Sequence, residues 1–165
     1  MSPEIDAGEI RHLEERAFRG WPALETRDVA GWRLRFAGGY TKRANSINSL
    51  SQEAECGPET LAGLEVAYRE RGLGPVWRLT SLAPAAAKGL LVSPAYRTIE
   101  RSLVQVAPLH AEFAADPEVR IEARPSAPWI EAFAHHSPVA PQHRATMRRM
   151  VMAMPRAGLV ARCSF

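Results

Sequence analysis

Several features that would place this 165-residue chain in a special class are missing from its sequence. No apolar run approaches the roughly 20 residues of a membrane-spanning helix. The acidic N-terminus is unlike a secretory signal peptide, which is basic and then apolar. Cys56 and Cys163 lie far apart, with no second thiol or histidine at metal-ligand spacing. We therefore expect free thiols in a reducing cytoplasm and no membrane partner.

Lysine is also scarce, since Lys42 and Lys88 are the only lysines among 21 basic residues. The net charge is only +3, and the arginines are scattered among 18 acidic residues. This pattern excludes the clustered basic face that binds nucleic acid. A hydrophobic fraction of 46% and a charged fraction of 24% are typical of globular proteins.

Helix and strand signals alternate along the first 110 residues. Asp6 and Glu9 predict a capping box at the start of a helix, and two glycines at positions 38 and 39 predict a turn between two strands. The predicted order is α-β-β-α-β-α-β, at residues 2–20 or 6–20, 31–36, 43–50, 58–71, 76–82, 84–92 and 97–109. Such alternation predicts an α/β (α+β) fold, a mixed β-sheet flanked by helices.

The later residues predict a linker, two helices and a final strand. A short extended run is predicted at residues 119–123, helices near 128–135 and 141–152, and a strand at 158–165. Met147, Met150 and Met154 share one side of the second helix, and we expect them to form core or an interface.

Residues 31–46 read GWRLRFAGGYTKRANS, and residues 21–24 read WPAL. This long signature resembles the N-terminal half of two-part bacterial acetyltransferases of the GNAT superfamily, over about residues 10–154. The resemblance implies a GNAT-like (acyl-CoA N-acyltransferase) fold and acetyl transfer from acetyl-CoA to a small-molecule or peptide amine. It also implies a degenerate first domain at residues 1–112, a linker at 113–125, and a truncated second GNAT domain at 126–165.

GNAT enzymes bind the pyrophosphate of acetyl-CoA at a glycine-rich loop that leads from a strand into a helix, where free amides are available. The literal motif match at residues 69–74 follows a helix instead, so its free groups are carbonyls. The equivalent loop, residues 52–57, carries Glu53 and Glu55, and Glu59 follows; these charges would repel a pyrophosphate. We therefore predict no cofactor-binding residues, and an isolated chain that is inactive.

Five polar residues after the glycine turn are the best candidates for substrate binding: Tyr40, Thr41, Arg43, Asn45 and Asn48. They either brace the turn through hydrogen bonds to backbone, or face a second domain and form its acceptor pocket. No catalytic residue is assigned. Tyr96, which follows the third helix, is expected to be a packed aromatic with its hydroxyl on a partner. His135, His136 and His143 are expected at a solvated helix end rather than at a metal.

Two hypotheses for function follow. The first is the N-terminal portion of a GNAT N-acetyltransferase, which leaves open whether this chain alone is an enzyme. The second is a non-catalytic binding or dimerisation module, for which the partner would be a second copy of the chain.

Overall fold

The computed structural model describes residues 6–107, 120–155 and 160–162, with backbone only for residues 120–122 and 160–162. Within these ranges the elements in chain order are α1 (Ala7–Gly20), β1 (Glu25–Val29), β2 (Trp32–Phe36), a 3-10 turn (Lys42–Ala44), β3 (Ile47–Ser49), α2 (Pro58–Arg69), β4 (Trp77–Arg78), α3 (Ala85–Leu91), β5 (Arg120–Glu122), α4 (Ala127–His136), a second 3-10 turn (Pro141–His143), α5 (Arg144–Met152) and β6 (Val160–Arg162). Most of the predicted linker and of the predicted last strand lies outside the described residues.

The main sheet has four strands in the order β1-β2-β3-β4. The pairs β1–β2 and β2–β3 are antiparallel, and β3–β4 is parallel. Because parallel neighbours need a crossover, α2 connects β3 to β4 and covers one face of the sheet. The predicted mixed sheet flanked by helices is therefore confirmed, while β5 and β6 form a separate antiparallel pair.

The ends of α1 and α2 follow the chemistry that the sequence predicts. The Asp6 side chain accepts a hydrogen bond from the Glu9 amide at the start of α1. Pro58 opens α2, where its missing N–H costs nothing. Gly72 follows the end of α2 with φ +67°, a conformation that glycine adopts without strain.

The main core lies between the sheet and α2. Trp32, Leu34 and Phe36 alternate along β2 and are at most 4% exposed, as the strand pattern predicts. Ile47 of β3 and the apolar face of α2 complete this core. Each such side chain contributes about 2 kcal/mol through burial.

The helices α4 and α5 pack against the turn side of the sheet. Met150 is fully buried and shares a cluster with Ala37 and Ala44. Met147 is 2% exposed and packs with Val151 and with residues of α4. Met147 and Met150 of the predicted stripe are therefore core.

Three strand predictions are corrected. β1 was not predicted, because its sequence ETRDV lacks alternation and four of its five residues are exposed. β4 has two residues instead of seven. The predicted strand at residues 97–109 is wrong for residues 97–107, which form no regular element. The apolar side chains of that segment line a cavity or face solvent, and Leu103 is 80% exposed. None of the described helices is both long and apolar enough to cross a bilayer.

Candidate functional site

A cavity of about 1160 Å³ opens on the face of the sheet opposite α2. Its walls are α1, the loop after the glycine turn, the chain from 76 to 81 and the segment from 99 to 106. Thr41 and Arg43, two of the five predicted substrate residues, line it together with Lys42 and Ser46. This volume and this mixed polar and apolar lining suit a small-molecule or peptide ligand.

Thr41 is held in a backbone conformation that a β-branched residue rarely adopts, with φ 59°. Its hydroxyl accepts a hydrogen bond of 3.0 Å from the Trp21 indole N–H. Its carbonyl accepts one of 2.8 Å from the side-chain Nδ2 of Asn45. Strain of this kind costs about 1–3 kcal/mol and is concentrated at functional sites. The strained residue here lies on the cavity wall.

Asn45 and Asn48 are buried and make hydrogen bonds within their own neighbourhood. The Asn45 Oδ1 accepts from the amides of Ala37 and Gly39, at 2.8 and 3.0 Å, and its Nδ2 donates to the carbonyls of Tyr40 and Thr41. The Asn48 Nδ2 donates to the carbonyl of Arg33 in the neighbouring strand β2 and to the carbonyl of Ser46, two residues earlier. These are the hydrogen bonds to backbone that the bracing interpretation predicts, and they fix the loop that carries Thr41 and Arg43.

Tyr40 lies beside the cavity loop rather than in the cavity wall. Its ring packs between Trp21 and His143, with centroids 6.2 and 5.8 Å away. Burial raises the pKa of the Tyr40 hydroxyl. Tyr40 therefore joins the cavity loop to the second 3-10 turn, which lies between α4 and α5. Its hydroxyl keeps its proton at neutral pH.

Ion pairs tie α1 to the cavity side of the sheet. Arg78 of β4 makes a bidentate contact with Glu14 of α1, whose side chain is 10% exposed. Arg33 of β2 binds Glu15 of α1 and Asp28 of β1, at 2.8 and 2.7 Å. The hydrogen bond from Arg33 lowers the pKa of Asp28.

Arg35 is a buried cation, 1% exposed, beneath this face. Its guanidinium donates to the carbonyls of Phe18 and Trp21 at the end of α1, and to the Arg43 carbonyl at 2.7 Å. A cation is favourable there because the last carbonyls of a helix have no partner within the helix. Burial, and after it the charge of Arg78, lowers the pKa of Arg35 to about 10.

The Tyr96 hydroxyl donates to Glu65 Oε1 at 2.8 Å, which confirms the predicted partnered hydroxyl. The prediction that the residue is packed is wrong, because Tyr96 is 38% exposed. The Trp77 indole N–H donates to the same oxygen at 2.9 Å, and Arg69 pairs with the other oxygen. Burial, together with the Glu65 contact, raises the pKa of Tyr96. Glu65 thus anchors the start of the segment that forms the outer cavity wall.

The predicted histidines lie apart from the cavity. His135 and His136 are exposed at the end of α4, as expected. His143 is instead half-buried against Tyr40 in the second 3-10 turn, so its predicted solvated position is wrong. Among the described side chains, no three histidines, cysteines or carboxylates lie close enough to hold a metal ion.

Comparison with known proteins places the chain in a family. Residues 7–164 match the family described as "Probable histone acetyltransferase Rv0428c C-terminal". The chain belongs to this acetyltransferase family. It is also similar to the "Uncharacterized N-acetyltransferase YobR" of Bacillus subtilis strain 168, with 24% identity over 152 residues. That alignment covers 89% of this chain but only 61% of the relative. No solved structure matches the chain at a significant level.

In this member of the family, the loop at residues 52–57 does not fit the diphosphate of coenzyme A. The amide of Glu53 donates to the Ser51 hydroxyl, and the amides of Ala54 and Glu55 donate to backbone carbonyls at 3.3 and 3.0 Å. Pro58, which opens the helix, has no N–H at all. A diphosphate needs several free amides, and the three consecutive amides at residues 53–55 already bond within the protein.

The sequence also holds a signal for the contact between α1 and the sheet, which was not used above. Strand alternation puts Arg33 and Arg35 on the face opposite the apolar core, and α1 carries adjacent glutamates at positions 14 and 15. Opposite charges on facing elements predict that α1 covers this face. Nothing in the sequence marks Glu14 and Arg78 as partners, since 64 residues separate them.

Proposed function

We propose that this chain supplies the acceptor side of an N-acetyltransferase of the GNAT type, with acetyl-CoA as donor and an amine as acceptor. Family membership supports acetyl transfer in general. The N-acetyltransferase description of the Bacillus subtilis relative supports a nitrogen acceptor. The mixed sheet with a parallel β3–β4 pair, crossed over by α2, is in keeping with a GNAT-like fold.

The observation that carries the proposal is the strained Thr41 on the wall of the 1160 Å³ cavity. The Asn45 side chain and the Trp21 indole both hold this residue in place. A loop kept rigid in this way can position an acceptor, and positioning is the main contribution that such enzymes make to the rate. We therefore propose that Thr41 and Arg43 contact the acceptor, while Asn45 and Asn48 position their loop and Tyr40 supports it.

The donor enters this proposal only through the chemistry that it brings. Acetyl transfer joins the amine nitrogen to the acetyl carbon and releases a thiol, and acetyl-CoA supplies that activated acetyl group. Because the amides at residues 53–55 are internally bonded, we propose that the isolated chain does not bind acetyl-CoA at this loop. The chain spans 61% of the relative's length, so the donor site is proposed to lie in sequence that this chain lacks.

Two measurements test the proposal. Calorimetry of the isolated chain with acetyl-CoA should show no saturable binding. Tight stoichiometric binding would refute the proposal that the donor site lies outside this chain. The complete product of the gene should transfer radiolabelled acetyl groups to at least one amine in a broad panel.

Loss of the threonine hydroxyl in Thr41→Val should raise the KM for that amine more than it lowers kcat. Arg149→Gln, an exposed change on α5, serves as the control and should behave like the natural protein.

A dimerisation module is the second candidate, and one observation favours it. Val92, Leu103 and Val104 are 81%, 80% and 65% exposed, and such apolar surface can mark an interface. Sedimentation velocity of the chain between about 1 and 100 μM would show a concentration-dependent dimer in this case. Leu103→Ser should then shift the equilibrium toward monomer, whereas a monomer throughout this range would exclude the module.

A further inference from the structure

The cavity has an unequal balance of charge. Five basic side chains line it, namely Lys42, Arg43, Arg78, Lys88 and Arg101. Of the residues that the structure describes, only two acidic ones do so, Glu14 and Glu100. The whole chain is far closer to balance, with 21 basic and 18 acidic residues. Positive charge is therefore concentrated on the walls of this cavity.

Both acids on the cavity wall already have a cation. Glu14 is bound by Arg78 through both carboxylate oxygens, and Glu100 lies 3.0 Å from Lys42. Within the described part of the chain, no carboxylate lies within salt-bridge distance of Arg43, Lys88 or Arg101. Three cationic groups thus remain to attract a ligand.

The surroundings of Arg35 are consistent with a positive potential on this face. After burial, the charges of Arg78, Arg33 and Arg43 are among the causes that lower its pKa. Two of these neighbours, Arg78 and Arg43, also line the cavity. A cleft with low-dielectric walls and one sign of charge raises the local concentration of ligands of the opposite sign.

We propose that the cavity selects an acceptor amine that carries negative charge of its own, such as an amino compound or peptide with carboxylates. Arg43, Lys88 and Arg101 would bind the carboxylates, and the apolar side chains between them would cover the carbon skeleton. This inference rests on the proposed function, since it names the substrate class of the same site. A basic peptide, in contrast, would meet three unpaired cations and no unpaired carboxylate of the described residues.

Binding of charge-matched probes to the chain tests this proposal. The probes are tetrapeptides of sequence AEEA, AQQA and AKKA with amidated C-termini, together with the free amino acids glutamate and glutamine. We expect AEEA or glutamate to bind at least about tenfold more tightly than its amide counterpart, and the preference to weaken with added salt. The tetrapeptide and the amino acid distinguish an acidic peptide from a small acid, and a preference in either pair supports the proposal.

Three substitutions locate the binding site. The triple variant Arg43→Gln, Lys88→Gln, Arg101→Gln should lose the preference for the acid, because no described bond of these side chains holds the fold together. Arg149→Gln removes one exposed arginine outside the cavity and should keep the preference. Circular dichroism of the triple variant should match that of the natural chain, and if it does not, the three single variants give the same comparison.

Several results would overturn the proposal. The proposal is contradicted if acid and amide bind equally, if AKKA binds more tightly, or if no probe binds. It is also contradicted if Arg149→Gln loses the preference for the acid as the triple variant does. Displacement of AEEA by coenzyme A would assign the cavity to the donor instead. Acetyl transfer by the complete gene product to neutral or basic amines only would refute the charge preference and leave the proposed function intact. Acid-selective binding without acetyl transfer to any amine would support the charge preference and refute the proposed function.

Discussion

The hydroxyl of Tyr68 joins α2 to the middle of the sheet. It donates to the Arg35 carbonyl and accepts from the Arg35 amide, both at 3.0 Å, in a fully buried position. Burial raises the pKa of Tyr68 to about 12. Above pH 10 the unfolded chain releases this proton while the folded chain keeps it, so the Tyr68 contribution to stability is lost as pH rises from 10 to 12.

The variant Tyr68→Phe should lose about 1–2 kcal/mol of unfolding free energy at pH 7, because two buried hydrogen bonds are removed. It should also lose the pH dependence that Tyr68 contributes, so the difference from the natural chain should narrow by about 1 kcal/mol at pH 11. The pKa of Arg35 is lowered to about 10, so this residue raises the unfolding free energy as pH rises from 10 to 12. Arg35 is present in both chains, so it does not account for the difference between them. Urea unfolding at pH 7 and pH 11 measures the difference in unfolding free energy between the two chains. A difference that is the same at both pH values would contradict the prediction.

Single residues also show where sequence reasoning succeeds. The polar residues Asn45 and Asn48 predicted either a cleft lining or a loop-braced edge, because buried amides must find partners. Both side chains bond to nearby backbone, as at a braced edge. Arg35 was not predicted to be buried. Its partners are backbone carbonyls at the end of α1, and carbonyls carry no sequence signal.

Among the elements, α1, β2 and α2 were predictable because caps and apolar periodicity act locally. β1 was not predictable, since its hairpin turn is Ala30-Gly31 rather than the familiar Asn-Gly. Gly31 has a second role there, because a Cβ at this position would lie 2.7 Å from Ala54 Cα. The apolar alternation at residues 97–107 predicted a strand, but a strand also needs a partner edge, which periodicity cannot supply.

The pair Glu14–Arg78 is expected to hold α1 against the sheet. Removing either charge alone leaves its partner with poor solvation, so Glu14→Gln and Arg78→Gln should each destabilise the fold by about 2 kcal/mol. The double variant should cost about 1–2 kcal/mol less than the sum of the two, as measured by chemical denaturation in a double-mutant cycle.

The surface pair Arg148–Glu131 is the matched control for this cycle. Its side chains are 56% and 63% exposed, so its coupling should stay below about 0.5 kcal/mol. Equal coupling in the two pairs would show that burial adds nothing to the Glu14–Arg78 contact.

At the scale of the whole molecule, α5 shares a cluster with the turn side of the sheet. Met150 is buried against Ala37 and Ala44, and Trp21 contributes to the same cluster. The sequence predicts these helices in a separate domain, and this division stays a prediction. The sequence did place the methionine stripe correctly, because helical spacing reveals which side is apolar but not what covers it.

The variant Met150→Ala should destabilise the chain by about 2–4 kcal/mol through the cavity it leaves. Met152→Ala, at a position 51% exposed, is the control and should cost less than about 1 kcal/mol. If α5 and the sheet unfold together, tryptophan fluorescence and far-ultraviolet circular dichroism should give one coincident transition. Two separate transitions, with Met150→Ala shifting only one, would show that the helices unfold independently.

Both side-chain amines of the chain, Lys42 and Lys88, lie on the wall of one cavity. An acylating mass tag, read by peptide mass spectrometry, would therefore leave stable amide labels on that wall and on the N-terminal amine, because acylated histidines hydrolyse. Protection of the two lysines from the reagent gives a footprint of occupancy without any engineered probe. It would report on any compound that enters, before the compound is identified.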